Sequence, residues 1–336
     1  MDTLTHIVVG ACIGEVALGK QLGKKAMLYG AVAQSIPDID FIASFWLPTA
    51  ENLLAHRGLT HSFFFALVVA PAIGYIMKLT YRRSDISLRK WIIFFLIQVF
   101  SHDFIDAFNA YGTGWFEPFS SERISFHVLF VADPLYSIWP AIAFVMMLVL
   151  KRKNQIRRRW AISGLVVPVI YLIYALGNKY NIDRAARQAF VASQIPREKY
   201  FTTPTPFNNW LWYVVAKTDS GFYIGYRSVF DRKPGMQFAY FPQSDSLLGS
   251  VKARHEVDLL KKFSQGYYTI ERWKDTLVFN DLRFEQIIGW NDPRAKFAFH
   301  YFLDPPLDNA MVVQRGRIAK WDSAAINSLV RKIRGN

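Results

Sequence analysis

The first half of the chain contains four long apolar runs, and they constrain its fold more than any other feature. Each run has about 16–18 residues, or roughly 24–27 Å of helix at ~1.5 Å per residue. The hydrocarbon core of a bilayer is about 30 Å thick, and aromatic ends extend each run toward that length. The runs are residues 62–79, 91–108, 135–150 and 161–177. We therefore predict a polytopic membrane protein with four spanning helices.

Two weaker apolar runs, residues 2–19 and 24–36, precede these four. The second would reach only about 20 Å as a helix. Gly10 and Gly14 are four positions apart, and this spacing of small residues lets two helices approach closely. The two runs are therefore predicted to form an N-terminal helical hairpin, which completes an α-helical membrane bundle over residues 1–180.

The chain has a net charge of +14, and the positions of its basic residues account for that charge. Residues 20–25, 78–90 and 151–159 hold 14 of the 40 Lys and Arg but only one of the 26 Asp and Glu. The rest of the chain, with 26 basic and 25 acidic residues, is nearly neutral, so no nucleic-acid partner is expected.

The same three basic segments connect predicted helices on one side of the bilayer. The positive-inside rule makes that side cytoplasmic. The outer face is then expected to hold the N-terminus, residues 37–61, residues 109–133 and the chain after residue 177.

After residue 177 the sequence changes in character. Residues 178–200 have the pattern of a polar amphipathic helix, and the segment TTPTP at 202–206 is predicted to be a linker. Alternating, aromatic-rich runs then predict antiparallel strands at 210–217, 222–228, 267–273, 276–284 and 297–303, with helices at 251–263 and 322–334. We predict a helix and linker at 181–206, and a soluble α+β domain with an antiparallel sheet at 207–336.

Five of the seven histidines lie in the membrane half, and four of these have an acid at an informative spacing. Asp2 and His6 are four residues apart, as are His102 and Asp106, so each pair shares a helix face. The other histidines and acids of this set of candidate site residues lie close by in the sequence. They are Asp38 and Asp40 after Pro37, His56 and His61 around the start of the third helix, and Asp103 beside His102. The topology deduced from Lys and Arg alone puts all of these groups at the outer ends of their helices.

Histidine and carboxylate side chains gathered at one level of a membrane favour a metal site. These ligands suit Zn²⁺, Mn²⁺ or Fe²⁺, and their number allows one ion or two. Taken singly, each has a simpler interpretation: Asp2 as a helix cap, or a lone histidine as a packing residue. Because all of these side chains are expected at one level of the membrane, a metal site is the preferred interpretation.

Three further roles concern catalysis. Arg57 either binds an anionic substrate or contacts lipid phosphate. Asp40 is the preferred general base, ahead of Asp103.

Four motifs carry a resemblance to a known family. They are Met1-Asp2-x-x-Thr5-His6, Pro37-Asp38-Ile39-Asp40, His56-Arg57-Gly58-Leu59-Thr60-His61-Ser62, and His102-x-x-x-Asp106. Over roughly residues 1–180 the chain resembles the YbcI/YdjM family of membrane-bound, predicted metal-dependent hydrolases. The resemblance implies a divalent metal held by His6, Asp38, His56, His61, His102 and Asp106. A more distant similarity to zinc-dependent phospholipases C suggests phosphoester chemistry.

We therefore expect an integral protein of the bacterial inner (cytoplasmic) membrane, hydrolysing a phosphoester or lipid-like substrate through a metal-activated water at the outer interface. Asp40, Asp103 and Arg57 are its expected catalytic residues and zinc is its expected ion. Its expected partners are membrane lipid and a small-molecule or lipid substrate. The alternative is a non-enzymatic membrane module: a metal or proton transporter, or a scaffold with an outer partner-binding domain. A transporter should hold its ionisable groups near the bilayer midplane, whereas here they lie at helix ends.

Overall fold

The computed structural model describes residues 1–151, 156–196, 199–304 and 321–335. The chain divides into two compact units, and each is described by itself. The first unit comprises Met1–Trp46 and Ala55–Ala175, and the second comprises Leu47–Leu54 and Leu176–Asn336.

The first unit is helical. Its helices are α1 (Thr3–Leu22), α2 (Lys24–Gln34), α4 (Phe63–Thr80), α5 (Leu88–Asp106), α6 (Pro134–Val149) and the first part of α7 (Ile156–Ala192), while α3 (Thr49–Ala55) lies almost wholly in the second unit. A 3₁₀ helix, Pro37–Phe45, follows α2, and a single 3₁₀ turn, Leu59–His61, leads into α4.

Three helices in the described part of the chain are long and apolar enough to cross a membrane: α1, α4 and α7. Helices α4 and α7 match two of the four predicted spans, whereas α1 comes from a run that looked weaker. Helix α6 is apolar but has only 16 residues. Helix α5 carries two basic residues near its start and two acids near its end, and Trp91 and Phe94 are buried within the unit. The prediction of four spans is therefore not confirmed.

Helices α1 and α2 pack through their glycines, as the spacing of Gly10 and Gly14 predicted. A Cβ atom on Gly14 would lie 2.1 Å from the carbonyl oxygen of Ala26, and one on Gly10 would lie 2.4 Å from that of Gly30. The amide Nε2 of Gln98 on α5 also donates to the carbonyl of Gly10, at 3.1 Å. Only glycine permits backbones this close, so the hairpin fixes the position of α1 against its neighbours.

The second unit contains two antiparallel sheets. The first has the order β1 (Tyr200–Pro204), β2 (Leu211–Lys217), β3 (Gly221–Ser228), β4 (Phe238–Pro242), and the second has β5 (Tyr268–Trp273), β6 (Thr276–Gln286), β7 (Phe297–Asp304). Two helices, α8 (Arg254–Phe263) and α9 (Ser323–Ile333), complete it. All five predicted strands and both predicted helices are confirmed within a few residues.

Two predictions for this region are wrong. The TTPTP segment is not a linker, because Tyr200–Pro204 pairs with β2 and Thr202 is fully buried there. The amphipathic helix predicted at 178–200 is no separate element either, since α7 continues unbroken to Ala192. Its buried face, with Ile182 and Phe190, packs on Trp212 and Val214 of β2.

Candidate metal centre

The ends of several elements meet in the first unit. Helix α1 begins at this point, where Asp2 caps it by accepting a hydrogen bond from the Thr5 amide at 3.0 Å. Helix α4 begins there just after His61, and α5 ends there at Asp106. The chain turns into a 3₁₀ helix at Pro37, shortly after the end of α2, and this turn places Asp38 near the same helix ends. The capping interpretation of Asp2 is thus confirmed.

Four of the six predicted metal ligands form one compact group: Asp38, His61, His102 and Asp106. One ligand atom from each lies within 4.8 Å of all the others. The Nε2 atoms of His61 and His102 are 3.1 Å apart. Asp38 Oδ1 is 3.6 Å from each of these nitrogens, and Asp106 Oδ2 is 3.6 and 3.8 Å away.

These separations fit a single bound ion. Nitrogen and oxygen ligands about 2.0–2.2 Å from a tetrahedral ion are roughly 3.3–3.6 Å from one another. Both histidines and Asp106 are fully buried, while the Asp38 side chain is 21% exposed. An ion in this position would be reached from the side on which Asp38 lies.

Each histidine of the group is held from behind by a hydrogen-bond acceptor. His102 Nδ1 lies 2.6 Å from the backbone carbonyl of Gln34, which can only accept, so this nitrogen carries the proton. His61 Nδ1 lies 3.2 Å from Thr60 Oγ1 and 3.4 Å from Asp40 Oδ2; because the Thr60 hydroxyl itself donates to Asp40 Oδ2, its oxygen is left to accept from His61. Both rings therefore turn an unprotonated Nε2 toward the centre, which is the orientation that outer partners impose on metal-binding histidines.

The two aspartates of the 3₁₀ helix are held ionised by their neighbours. Burial raises the pKa of the Asp38 carboxyl, but protonated His61 and His102 outweigh burial and lower it to about 2; a cation between the two rings would act in the same direction. Burial also raises the pKa of Asp40, yet hydrogen bonds with His56 and His61 bring it well below its ordinary value. Both groups are therefore carboxylates at neutral pH, as metal ligation and support require.

The other two predicted ligands, His6 and His56, are not members of the four-residue group, and each contacts an aspartate carboxylate. His6 Nε2 lies 3.0 Å from Asp106 Oδ1, and its ring stacks on that of His102 with centroids 3.8 Å apart. His56 Nδ1 lies 3.0 Å from Asp40 Oδ1, and its side chain is 37% exposed. A ligand role for these two histidines stays a prediction.

Arg57 lies beside the group with its guanidinium turned into the protein. Its Nε is 3.1 Å from Asp106 Oδ2, Nη1 donates to Asn109 Oδ1 at 2.9 Å, and Nη2 donates to the carbonyl of Met1 at 3.3 Å. The residue is 4% exposed, which leaves it no contact with lipid phosphate. These contacts hold Asp106 in place.

The backbone of Arg57 is fixed as firmly as its side chain. It has a positive φ of 61°, a conformation that side chains other than glycine rarely adopt. Its amide donates to Asp40 Oδ2 at 2.7 Å, and its carbonyl accepts from the Gly114 amide at 2.8 Å and from Arg123 Nη1 at 2.9 Å. The same Arg123 atom also donates to the His56 carbonyl, at 3.0 Å. Arg123 thus positions the turn that carries His56 and leads to His61.

Asp103, predicted as an alternative base, is fully buried one residue after His102. Within the described part of the chain, neither of its carboxylate oxygens has a hydrogen-bond partner. A buried carboxyl without a partner is costly and calls for a functional reason. Its backbone carbonyl accepts from Trp115 Nε1 at 3.1 Å.

Three contributors to the site had no clear signal in the sequence. Gln34 acts through its backbone carbonyl, which any residue type supplies. Asn109 and Tyr111 support Arg57, the first by a hydrogen bond and the second with its ring 4.8 Å from the guanidinium carbon. Both residues follow shortly after the end of α5, and Tyr111 begins the segment Tyr111-Gly112-Thr113, which also resembles the family.

Helices able to cross a membrane and a buried group of two histidines and two aspartates define a helical membrane protein with a candidate metal site. The chain belongs to the family described as YdjM inner membrane protein, which matches residues 1–182. The family resemblance expected from the four motifs is thereby confirmed, and so is a membrane location.

Two relatives illustrate the extent of the similarity. The chain is 27% identical over 313 residues to the uncharacterized protein YfhP of Bacillus subtilis (strain 168), covering 84% of this chain and 87% of that protein. It is 31% identical over 122 residues to the inner membrane protein YbcI of Escherichia coli (strain K12), covering 36% of this chain and 69% of that protein. No solved structure matches the chain.

Proposed function

We propose that this protein is an integral membrane metal-dependent hydrolase that binds a divalent ion, with zinc preferred over manganese or iron, through Asp38, His61, His102 and Asp106. The observation that carries the proposal is the pair of Nε2 atoms 3.1 Å apart, each on a ring whose Nδ1 faces an acceptor. Two unprotonated nitrogens at this distance repel each other unless a positive charge lies between them. The carboxylates of Asp38 and Asp106 beside them favour a divalent cation over a single proton.

When bound, a divalent ion supplies Lewis acidity that activates water and polarises a phosphoryl or acyl oxygen. The residues of the chain provide the rest of the chemistry. Arg57 and His6 hold the Asp106 carboxylate from both sides, and Asp40 fixes the ring of His61. None of these three groups is left free to bind substrate.

His56 is the group best placed to take a proton from the attacking water. Asp40 binds its Nδ1, which leaves Nε2 as an acceptor; the side chain is partly exposed, and its ring centroid lies 6.2 Å from that of the proposed ligand His61. A carboxylate that orients a histidine base is a common arrangement in hydrolases. In this proposal Asp40 acts through His56 and is a positioning residue. The substrate is a phosphoester, in a small molecule or in a lipid.

The orientation remains the one predicted from the basic loops. The candidate site and the second unit would face outward, with the basic loops in the cytoplasm. Helix α6, although short, and helix α5, although polar at both ends, would also cross the membrane, so that the protein has four or more spans.

The proposal is tested with purified full-length protein and the soluble substrate bis(4-nitrophenyl) phosphate. We expect hydrolysis that chelation abolishes and added Zn²⁺ restores. His56→Gln should keep its metal and lose about 10²- to 10⁴-fold in rate, the usual contribution of a general base. His300→Gln, in the second unit, is the matched control and should retain full activity. Hydrolysis that persists after chelation, or a fully active His56→Gln variant, would contradict the proposal.

A further inference from the structure

The 3₁₀ helix that supplies Asp38 and Asp40 has a second, apolar face. In a 3₁₀ helix residues three apart lie above one another. Pro37 and Asp40 form the face buried against the site, whereas Ile39, Ile42 and Phe45 form a face exposed to the surroundings. Phe45 is 78% exposed, and the neighbouring Phe41 and Trp46 are 60% and 66% exposed.

Phe119 is a further exposed apolar side chain of the first unit. It is 83% exposed, and its ring contacts that of Phe64, with centroids 5.8 Å apart. Phe64 lies in the first turn of α4, whose exposed side chains Leu67 and Val68 follow it along the helix. We call the set Ile39, Phe41, Ile42, Phe45, Trp46 and Phe119 the apolar rim. Through Phe119 the rim adjoins the exposed face of a candidate membrane span.

The level of the rim in the bilayer follows from α4. Its 18 residues make a helix of about 27 Å, nearly the ~30 Å of the hydrocarbon core, so Phe63 lies near one edge of that core. His61, two residues earlier, is 3.6 Å from Asp38 on the 3₁₀ helix. The 3₁₀ helix therefore lies in the head-group layer, which adds roughly 5–8 Å to each side of the core. Its sequence from Pro37 to Trp46 contains no Lys or Arg that would hold it in water.

We infer that the apolar rim inserts into the head-group layer and that the site takes its substrate from there: an amphiphile with a phosphoester in its polar end and an alkyl chain in the membrane. The second part rests on the proposed function. Asp38 is exposed on the same 3₁₀ helix as the rim, so an alkyl chain against Phe41 or Phe45 brings the attached head group to the site. There, water adds to phosphorus, the ester P–O bond breaks, and the leaving oxygen takes up a proton.

Insertion of the rim is tested without any activity assay. Single cysteines are introduced in a Cys12→Ala background, labelled with a small fluorophore, and studied in vesicles of phosphatidylethanolamine and phosphatidylglycerol. Phe45→Cys and Phe119→Cys should be quenched by doxyl-labelled lipid as strongly as Leu67→Cys on α4. Lys233→Cys, exposed in the second unit, should be quenched by aqueous iodide instead. Iodide quenching of the rim positions equal to that of Lys233→Cys would place the rim in water, and quenching by neither iodide nor doxyl lipid would place it under a protein partner; either result would overturn the insertion.

The substrate class is tested with two phosphodiesters that share one reacting group, methyl 4-nitrophenyl phosphate in water and hexadecyl 4-nitrophenyl phosphate in the same vesicles. The protein should prefer the hexadecyl ester by at least about tenfold in kcat/KM, since a buried alkyl chain adds binding energy. Phe45→Ser/Phe119→Ser should lose that preference but keep its metal and its activity on the methyl ester, whereas the control Phe230→Ser should change neither. Equal use of both esters by the unaltered protein would overturn the inference. Hydrolysis of neither ester would refute the proposed function as well, and the quenching experiment would still decide where the rim lies.

Discussion

The ring of His102 is fixed by an atom that no side-chain pattern reveals. Its Nδ1 donates to the carbonyl of Gln34, in the last turn of α2, and this bond turns Nε2 toward His61. The sequence placed His102 and Asp106 on one helix face and predicted both as ligands. It could not predict the acceptor, because a backbone carbonyl has no residue-type signal.

Asp40 orients the ring of His61, as the Gln34 carbonyl orients that of His102. The effect of its charge can be tested separately from the effect of its shape. Asp40→Asn keeps the size of the side chain but removes the negative charge opposite His61 Nδ1, which now strengthens that ligand. We expect the affinity for Zn²⁺, measured by competition with a chelator, to fall about 10- to 100-fold. Asp133→Asn is the control, because Asp133 caps α6 and asparagine caps equally well. Unchanged affinity in Asp40→Asn would contradict the role assigned to Asp40.

The six predicted ligands show which parts of the site can be predicted from the spacing of residues in the sequence. Four of them share one centre, and the i, i+4 spacing of His102 and Asp106 is the direct reason for two of these. His56 and His61 are five apart, too far round for one helix face, and the structure puts the first in a turn and the second just before α4. Which of the two faces the centre depends on the positive φ of Arg57, and spacing carries no information about that angle.

At the scale of elements, the close pairing of α1 and α2 supports the site because α1 carries His6. A side chain at Gly14 has no room: the nearest atom to its Cβ would be a backbone oxygen of α2, which cannot rotate away. Gly14→Ile should therefore destabilise the protein by about 1–3 kcal/mol or more, as overpacking does. The measurement is the thermal unfolding of the purified variant in detergent.

Gly177→Ile is the matched control for that substitution. Gly177 also lies in a helix, α7, but a Cβ there meets no atom within 4 Å. We expect the control to unfold close to the unaltered protein. Equal stability of Gly14→Ile and Gly177→Ile would show that α1 and α2 do not pack through their glycines.

The strands show which elements the sequence predicts and which it hides. Alternation of apolar and polar residues predicted β2, β3, β5, β6 and β7. Strand β1 was missed because its threonines adjoin prolines, which usually mark a linker, although Pro204 sits at the strand's end where its missing N–H matters little. Strand β4 was missed because it is a short edge strand of five residues, most of them only half-buried.

At the scale of the molecule, composition predicted a membrane half followed by a soluble half. The two compact units divide after Ala175, within the single long helix α7. In the sequence, the change from apolar to polar residues inside this one helix was interpreted as a boundary between two separate helices. Composition therefore predicted the change of environment, while the continuity of the helix depends on the packing of Ile182 and Phe190 against β2.

The orientation predicted from the basic loops is open to a direct test. In the Cys12→Ala background, Asp85→Cys lies in an exposed loop between α4 and α5, and Lys233→Cys lies in the second unit. A membrane-impermeant maleimide should label Lys233→Cys on intact spheroplasts and Asp85→Cys only after lysis. The reverse pattern would place the candidate site on the cytoplasmic side.

The central claim is that Asp38, His61, His102 and Asp106 hold a divalent ion, and the metal content of purified protein tests it most directly. Elemental analysis should find at least about one divalent ion per chain in the unaltered protein. His61→Ala/His102→Ala should lose it, because both nitrogen ligands are gone, whereas the control His255→Ala/His300→Ala in the second unit should retain it. Unaltered protein without a divalent metal, or a His61→Ala/His102→Ala variant with undiminished metal content, would contradict the account.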